Sequence, residues 1–139
     1  MKNILVIGAG RSAVTLIKYL LDNSELNNWH VKVADFSLDL ALAAVKEHKN
    51  GTPIFFNVND EKQRFSEITK ADIVISMLPA SMHIIVAIDC VKLKKNLVTA
   101  SYVSKEIAKL DEKAKEAGII LLNEIGLDPG IDLMSAMQV

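Results

Sequence analysis

With 139 residues, half of them apolar and 24% charged, the chain has the size and composition of one domain with a real core. Its net charge of −1, with both signs interspersed, offers no basic face to nucleic acid or anionic lipid, and its single cysteine, Cys90, excludes an internal disulfide framework. No apolar run has the length of a membrane span, and Met1-Lys2-Asn3 leads straight into a strand rather than a signal peptide, so a cytoplasmic protein without a membrane partner is expected.

Short β-branched runs alternate with longer stretches of helical period. Ile4, Leu5, Val6 and Ile7 read as a buried strand, and a helix is expected over 12–21. A second strand falls at 30–34, followed by a Leu- and Ala-rich helix over 38–49. The third strand is predicted at 53–58 and the next helix at 60–70, with Asp60 as its N-cap. Strands at 72–76, 96–100 and 119–122 then alternate with helices over 81–92 and 105–117. Strands spaced by helices of this length require right-handed crossovers, hence an α/β fold whose parallel sheet is covered on both faces. Six strands in this rhythm suit a doubly wound sheet, the Rossmann fold, in the order 3-2-1-4-5-6. Residues 1–130 would make up that domain, and 131–139, with Leu133, Met134 and Met137, read as the opening of a helix that leads out of it.

Gly8-Ala9-Gly10-Arg11-Ser12-Ala13 follows the first strand and opens the first helix. A strand that stops there and a helix that starts at once would aim free backbone N–H groups at a phosphate. Gly8 permits the tight turn, Gly10 lets the backbone approach a pyrophosphate, and the small Ala13 lets helix and strand pack closely. Arg11 and Ser12 add a cation and a hydroxyl. Turns with two glycines are common, but the strand before, the helix after and the length of the βαβ unit favour dinucleotide binding. Asp35 closes the second strand about 22 residues after this fingerprint, where a carboxylate suits an adenosine ribose diol. The segment Asp35-Phe36-Ser37 equally suits a cap for the helix that starts at Leu38. A carboxylate would repel a 2′-phosphate and no Lys or Arg follows in Phe36-Ser37-Leu38, so NAD is the expected cofactor, ahead of NADP.

Ligands in such sheets lie across the carboxyl ends of the strands. Met77-Leu78-Pro79-Ala80 follows the fourth strand and can pass close to a nicotinamide ribose, or be a plain turn. Ser101 and Tyr102 follow the fifth strand and offer two hydroxyls to a polar substrate, unless Ser101 or Ser104 caps a helix. His83 lies one turn beyond Pro79, close enough to carry a proton but also suited to capping or packing. After the sixth strand comes the run 123–132, Asn-Glu-Ile-Gly-Leu-Asp-Pro-Gly-Ile-Asp, in which Asp128-Pro129-Gly130 also suits a turn. No Cys, His or Asp cluster has metal-ligand spacing, and no metal is expected.

Taken together, Gly8-Ala9-Gly10-Arg11 with Val14, Ile75-Ser76-Met77-Leu78-Pro79 with His83, Thr99-Ala100-Ser101-Tyr102 and above all the run 123–132 resemble saccharopine dehydrogenases of the glutamate-forming branch. The resemblance covers essentially the whole chain. It implies NAD(P)-dependent oxidation of the secondary amine of saccharopine and hydrolysis of the imine to glutamate and 2-aminoadipate 6-semialdehyde, or the reverse. It further implies that Ala9, Gly10, Arg11 and Ser12 hold the pyrophosphate, Asp35, Phe36 and Ser37 the adenosine ribose, and Asn57 and Val58 the adenine. Met77, Leu78 and Pro79 would flank the nicotinamide half, Ser101 and Tyr102 would contact saccharopine, and Asp128 would sit between substrate and cofactor. The proton carrier stays open between His83 and a water. Family members are longer, and the further part is expected to complete the substrate site and form a homodimer; the present chain alone is expected to be inactive.

Two positions depart from the family's pattern. Members that use NADP carry a basic or hydroxyl-bearing segment where Asp35-Phe36-Ser37 stands here, and Leu133 stands where many carry His. The second departure leaves room for another amino-acid imine, such as that of carboxynorspermidine. A non-enzymatic nucleotide-sensing module shares the glycines and the acidic residue, but has no use for the run 123–132.

Overall fold

Six strands pair in parallel in the computed structural model, which describes residues 1–125: β1 (Lys2–Ile7), β2 (Trp29–Asp35), β3 (Gly51–Phe55), β4 (Ile73–Ser76), β5 (Asn96–Thr99) and β6 (Leu121–Leu122). Their order is β3-β2-β1-β4-β5-β6, as the rhythm of the sequence predicts. Ile4 and Val6 of β1 join the core on one face of the sheet, Leu5 and Ile7 the core on the other, and all four are buried. Burial on both sides explains why this run lacks the apolar–polar alternation of a half-exposed strand. On the first face α1 (Val14–Asp22) and α3 (Leu38–Val45) contribute Ile17, Leu21, Ala41 and Val45. On the second, α4 (Glu61–Lys70) and α5 (His83–Leu93) contribute Ile68, Val86 and Cys90. Burial, with the Asp89 carboxylate adding to it, pushes the Cys90 thiol up to about 12, so the side chain is packing rather than a nucleophile.

The element ends depart from the predicted spans where tertiary contacts take over. A four-residue helix, α2 (Ser24–Asn27), precedes β2 and stops at Asn28, which is left-handed with φ 58°. The helix expected over 38–49 ends at Val45, because Lys46 and Glu47 adopt φ of 50° and 58° and turn the chain toward β3. β3 lies toward the amino terminus of the predicted run 53–58. Phe56 N–H makes a last bond to the Asp35 carbonyl (2.8 Å), and then α4 side chains replace the ladder: Asn57 N–H donates to Gln63 Oε1 (2.9 Å). Asp60 caps α4 as expected, accepting Gln63 N–H at 3.1 Å. The helix expected over 105–117 is two, α6 (Lys105–Ala108) and α7 (Asp111–Ala117), with Ile107 and Leu110 both packed on the core at the break. Among the described residues, no helix is long and apolar enough to cross a membrane.

Candidate functional site

The strand order reverses between β1 and β4, and the loops beyond their carboxyl ends open a crevice there. Gly8 forms its floor. With φ at 107° it occupies backbone space that side chains avoid, and a Cβ on it would stand 2.9 Å from the Met77 carbonyl oxygen. Its N–H donates to the Ala34 carbonyl (2.8 Å) while Met77 N–H donates to the Ile7 carbonyl (2.7 Å), so the turn is wedged between β2 and β4. Gly10 is different. Its backbone is extended (φ −71°, ψ −179°), and a Cβ there would meet nothing within 4 Å. The open space lies directly before the 3-10 turn Arg11–Ala13 that begins the first helical segment, which is the cradle a pyrophosphate requires. Ala13 is fully buried against the sheet, as its small size predicts.

Asp35 is tied into the turn itself. Its Oδ2 accepts the Ala9 N–H and its Oδ1 the Ser37 N–H, both at 2.7 Å. The carboxylate therefore clasps the glycine turn to the loop after β2, and Ser37 rather than Asp35 caps α3 by accepting the Leu40 N–H at 3.4 Å. Beside this clasp lies a cavity of about 290 Å³ that gathers Gly8, Asp35, Phe36, Asn57, Val58 and Leu78. Phe56, Asn59 and Met82 also line it and were not foreseen. Exposed Phe36 leans on Phe55, ring centroids 5.5 Å apart at 50°. A larger cavity of about 400 Å³, between the sheet and α4, is lined by Ile4, Lys32 and Glu67 and holds none of the predicted site residues.

At the ends of β4 and β5 the shaping groups are side chains. His83, the first residue of α5, is buried; its Nδ1 lies 2.8 Å from Ser76 Oγ and its Nε2 2.8 Å from Ser101 Oγ and 3.2 Å from Thr99 Oγ1. Burial holds this imidazole below its ordinary value of 6.5. A neutral imidazole has one N–H and one acceptor nitrogen, and both are used here by hydroxyls. Ser104, not Ser101, caps the following helix, accepting the Ile107 N–H at 3.1 Å. Ser101 also anchors the approach to the run 123–132, since its carbonyl accepts the Glu124 N–H (3.0 Å), and Glu124 is left-handed at φ 61°. Tyr102 is 59% exposed beside it, and Pro79 leads into a 3-10 turn, Ala80–Met82. Asp128 lies outside the described residues. Ser76 and Thr99 stand in segments that carry the resemblance but received no role from the sequence, where a polar residue closing an apolar strand was the available signal.

Residues 4–122 match the family described as saccharopine dehydrogenase NADP binding domain. The chain belongs to this family. It is 39% identical to an alpha-aminoadipic semialdehyde synthase of Arabidopsis thaliana, over 97% of this chain and 14% of the plant protein. It is 38% identical to a saccharopine dehydrogenase [NADP(+), L-glutamate-forming] of Pyricularia oryzae, over 99% of this chain and 30% of the fungal one. The solved structure of the L-Glu-forming saccharopine dehydrogenase of Saccharomyces cerevisiae superposes with a TM-score of 0.91 at 34% identity, covering 99% of this chain and 30% of that one. A 3-ketoreductase from Actinomadura kijaniata, 17% identical over 89% of this chain and 38% of its own, shares the fold with a TM-score of 0.67. The chain thus spans 14 to 30% of the length of these curated relatives.

These findings correct one expectation. NAD was inferred from the charge of Asp35, yet the family domain and the fungal relative are both named for NADP. The inference assumed a carboxylate facing the ribose. Both Asp35 oxygens accept backbone N–H groups, so two donors of the turn already meet the charge from which NAD was inferred, while each oxygen keeps a second acceptor site.

Proposed function

We propose that this chain is the NADP-binding domain of a saccharopine dehydrogenase of the glutamate-forming type. One observation carries the reading: a glycine turn with open space at Gly10, beside a nucleoside-sized cavity, occurs on a chain that aligns over 99% of its length with an enzyme named for NADP+ and glutamate formation. The reaction is oxidation of the secondary amine of saccharopine to an imine and hydrolysis of that imine to glutamate and 2-aminoadipate 6-semialdehyde, or the reverse. NADP+, when bound, supplies the hydride acceptor.

The protein's own part is binding and orientation. Ala9, Gly10, Arg11 and Ser12 are assigned to the pyrophosphate, with Gly8 setting the turn and Ala13 seating the helix. Phe36, Ser37, Asn57 and Val58 are assigned to the adenosine half, and Asp35 holds the turn they share. Met77, Leu78 and Pro79 flank the nicotinamide half. Ser101 and Tyr102 are assigned to the amino-acid substrate. His83 fixes the Ser101 hydroxyl and so acts as a positioning residue, because both ring nitrogens are engaged and burial keeps the ring neutral. For Asp128 the proposed place between substrate and cofactor rests on the run 123–132 alone. A longer, homodimeric cytoplasmic protein, whose further residues complete the substrate site, rounds out the proposal.

Titration calorimetry on the chain is expected to give a tighter Kd for NADPH than for NADH. The longer protein that contains this domain is expected to form NADPH from NADP+ and saccharopine, and the chain alone to turn over none. Failure of the chain to bind NADPH, or of the longer protein to use saccharopine, overturns the reading.

A further inference from the structure

Arg64 and Asp89 stand on neighbouring helices, α4 and α5, with side chains 10% and 4% exposed, and Arg64 Nε donates to Asp89 Oδ2. Neither lines the cleft, and no motif in the sequence singles them out. As a device for stability such a pair is poor. Desolvating two charges cancels most of their attraction, and an apolar pair of similar volume packs as well or better. An apolar pair, however, cannot hold a third group. The guanidinium fork does: its Nη1 donates to the Val58 carbonyl at 2.7 Å.

Val58 belongs to the segment that leaves the β3 ladder, and with Phe56, Asn57 and Asn59 it forms one wall of the 290 Å³ cavity. The residue before Arg64 holds the same segment at its other end. Gln63 Oε1 accepts the Asn57 N–H at 2.9 Å, and Gln63 Nε2 donates to the Phe55 carbonyl at 2.8 Å. Asn57 Oδ1 in turn accepts the Asn59 N–H at 3.0 Å, which tightens the turn between the two anchors. A wall that has left the sheet keeps its shape through what grips it from behind. Two consecutive residues of α4 provide that grip, and Asp89 on α5 sets the angle of the second.

We infer that Arg64, oriented by Asp89, is a positioning residue for the cofactor: it fixes the wall against which the adenosine half rests, and so sets cofactor affinity without touching the cofactor. The inference rests on the reading of the cleft as an NADP site. A wall held in its bound shape spares the ligand the cost of ordering it; a released wall must be ordered on binding, and affinity falls.

The test replaces the pair as a unit, Arg64→Met with Asp89→Leu, and follows thermal unfolding together with the Kd for NADPH and for adenosine 2′,5′-bisphosphate, which lacks the nicotinamide half. The melting temperature should fall only modestly, because the apolar pair offsets much of the cost of the stranded Val58 carbonyl, while both ligands bind about tenfold more weakly. Arg64→Lys keeps the charge but loses the planar fork, and should weaken binding by most of the same factor. A role in charge balance alone would be rescued by that lysine. Unmutated affinities in the double variant, or in Arg64→Lys, overturn the positioning role and leave the NADP site standing. Weaker binding of NADPH with normal binding of adenosine 2′,5′-bisphosphate also overturns it, since the wall would then not serve the adenosine half. If the unmutated chain binds neither ligand, the site and the inference fall together. Should the double variant not fold, Arg64→Lys decides alone.

Discussion

Along β1 and β2 the groups that shape the cleft are backbone N–H donors and one carboxylate; along β4 and β5 they are hydroxyls gathered on an imidazole. On the first side the chain turns sharply at Gly8 and leaves β2 after Asp35, so the Ala9 and Ser37 N–H groups lie off the sheet, and the half-buried Asp35 carboxylate accepts both. A charged acceptor is strong and, near the open rim, keeps part of its hydration. On the second side Ser76, Thr99 and His83 are buried, and an ion there would lose its water without a matching partner. Neutral groups meet the same need for hydrogen bonds at lower desolvation cost. At these strand ends, charge is used where solvent reaches and a neutral network where it does not.

The sharpest way to break the comparison is to add one methyl group at each glycine of the turn. Gly8→Ala should destabilise the fold by about 3 kcal/mol, since the new Cβ meets the Met77 carbonyl and φ is positive, and the denaturation midpoint will report it. Gly10→Ala should change stability by less than about 0.5 kcal/mol while weakening NADPH binding, because its Cβ points into open space. Equal losses of stability at both positions would erase the distinction between a glycine the fold needs and one the ligand needs.

Asp35→Ala should cost about 2 kcal/mol by stranding two backbone donors, and NADPH affinity should fall with the loosened turn. A gain in NADPH affinity would show instead that the carboxylate acts on the 2′-phosphate. The smallest effect is expected at His83. His83→Gln should cost about 1 kcal/mol near neutral pH and should flatten the acid side of the stability profile. Because burial holds the folded imidazole below 6.5, the unfolded chain takes up the proton first. Stability from this group is therefore level above 6.5 and falls as pH drops through 6.5, until the native ring also protonates. Urea titrations on either side of that value, with and without the substitution, measure the contribution; a slope that persists in the Gln variant belongs to another group.

Legibility followed the range of the interactions. The turn at Gly8 could be read because its function is local backbone geometry, carried by residues adjacent in the chain. The strand order could be read because helices of that length leave few ways to connect parallel strands. Asn57 and Val58, which the resemblance assigns to the adenine, line the cavity beside Gly8, and the strand predicted to contain them stops at Phe55. What stops it is a pair of side chains on the next helix, Gln63 and Arg64, which no periodicity reports. His83 was a candidate for proton transfer from its distance along the chain to Pro79. Its hydroxyl partners come from two other segments, the ends of β4 and β5, so their presence around the ring depended on the folded sheet.

By itself the sequence determined the doubly wound sheet, the glycine turn and the family, since each is encoded in periodicity, in backbone permission or in residues close along the chain. Tertiary structure decided which way the polar groups face. An Asp at the end of a strand can point at a ribose or back at its own turn, and the composition of the segment is the same in both cases. Only the positions of the Ala9 and Ser37 N–H groups, brought within 2.7 Å of its two oxygens by the parallel pairing of β1 with β2, make Asp35 a clasp.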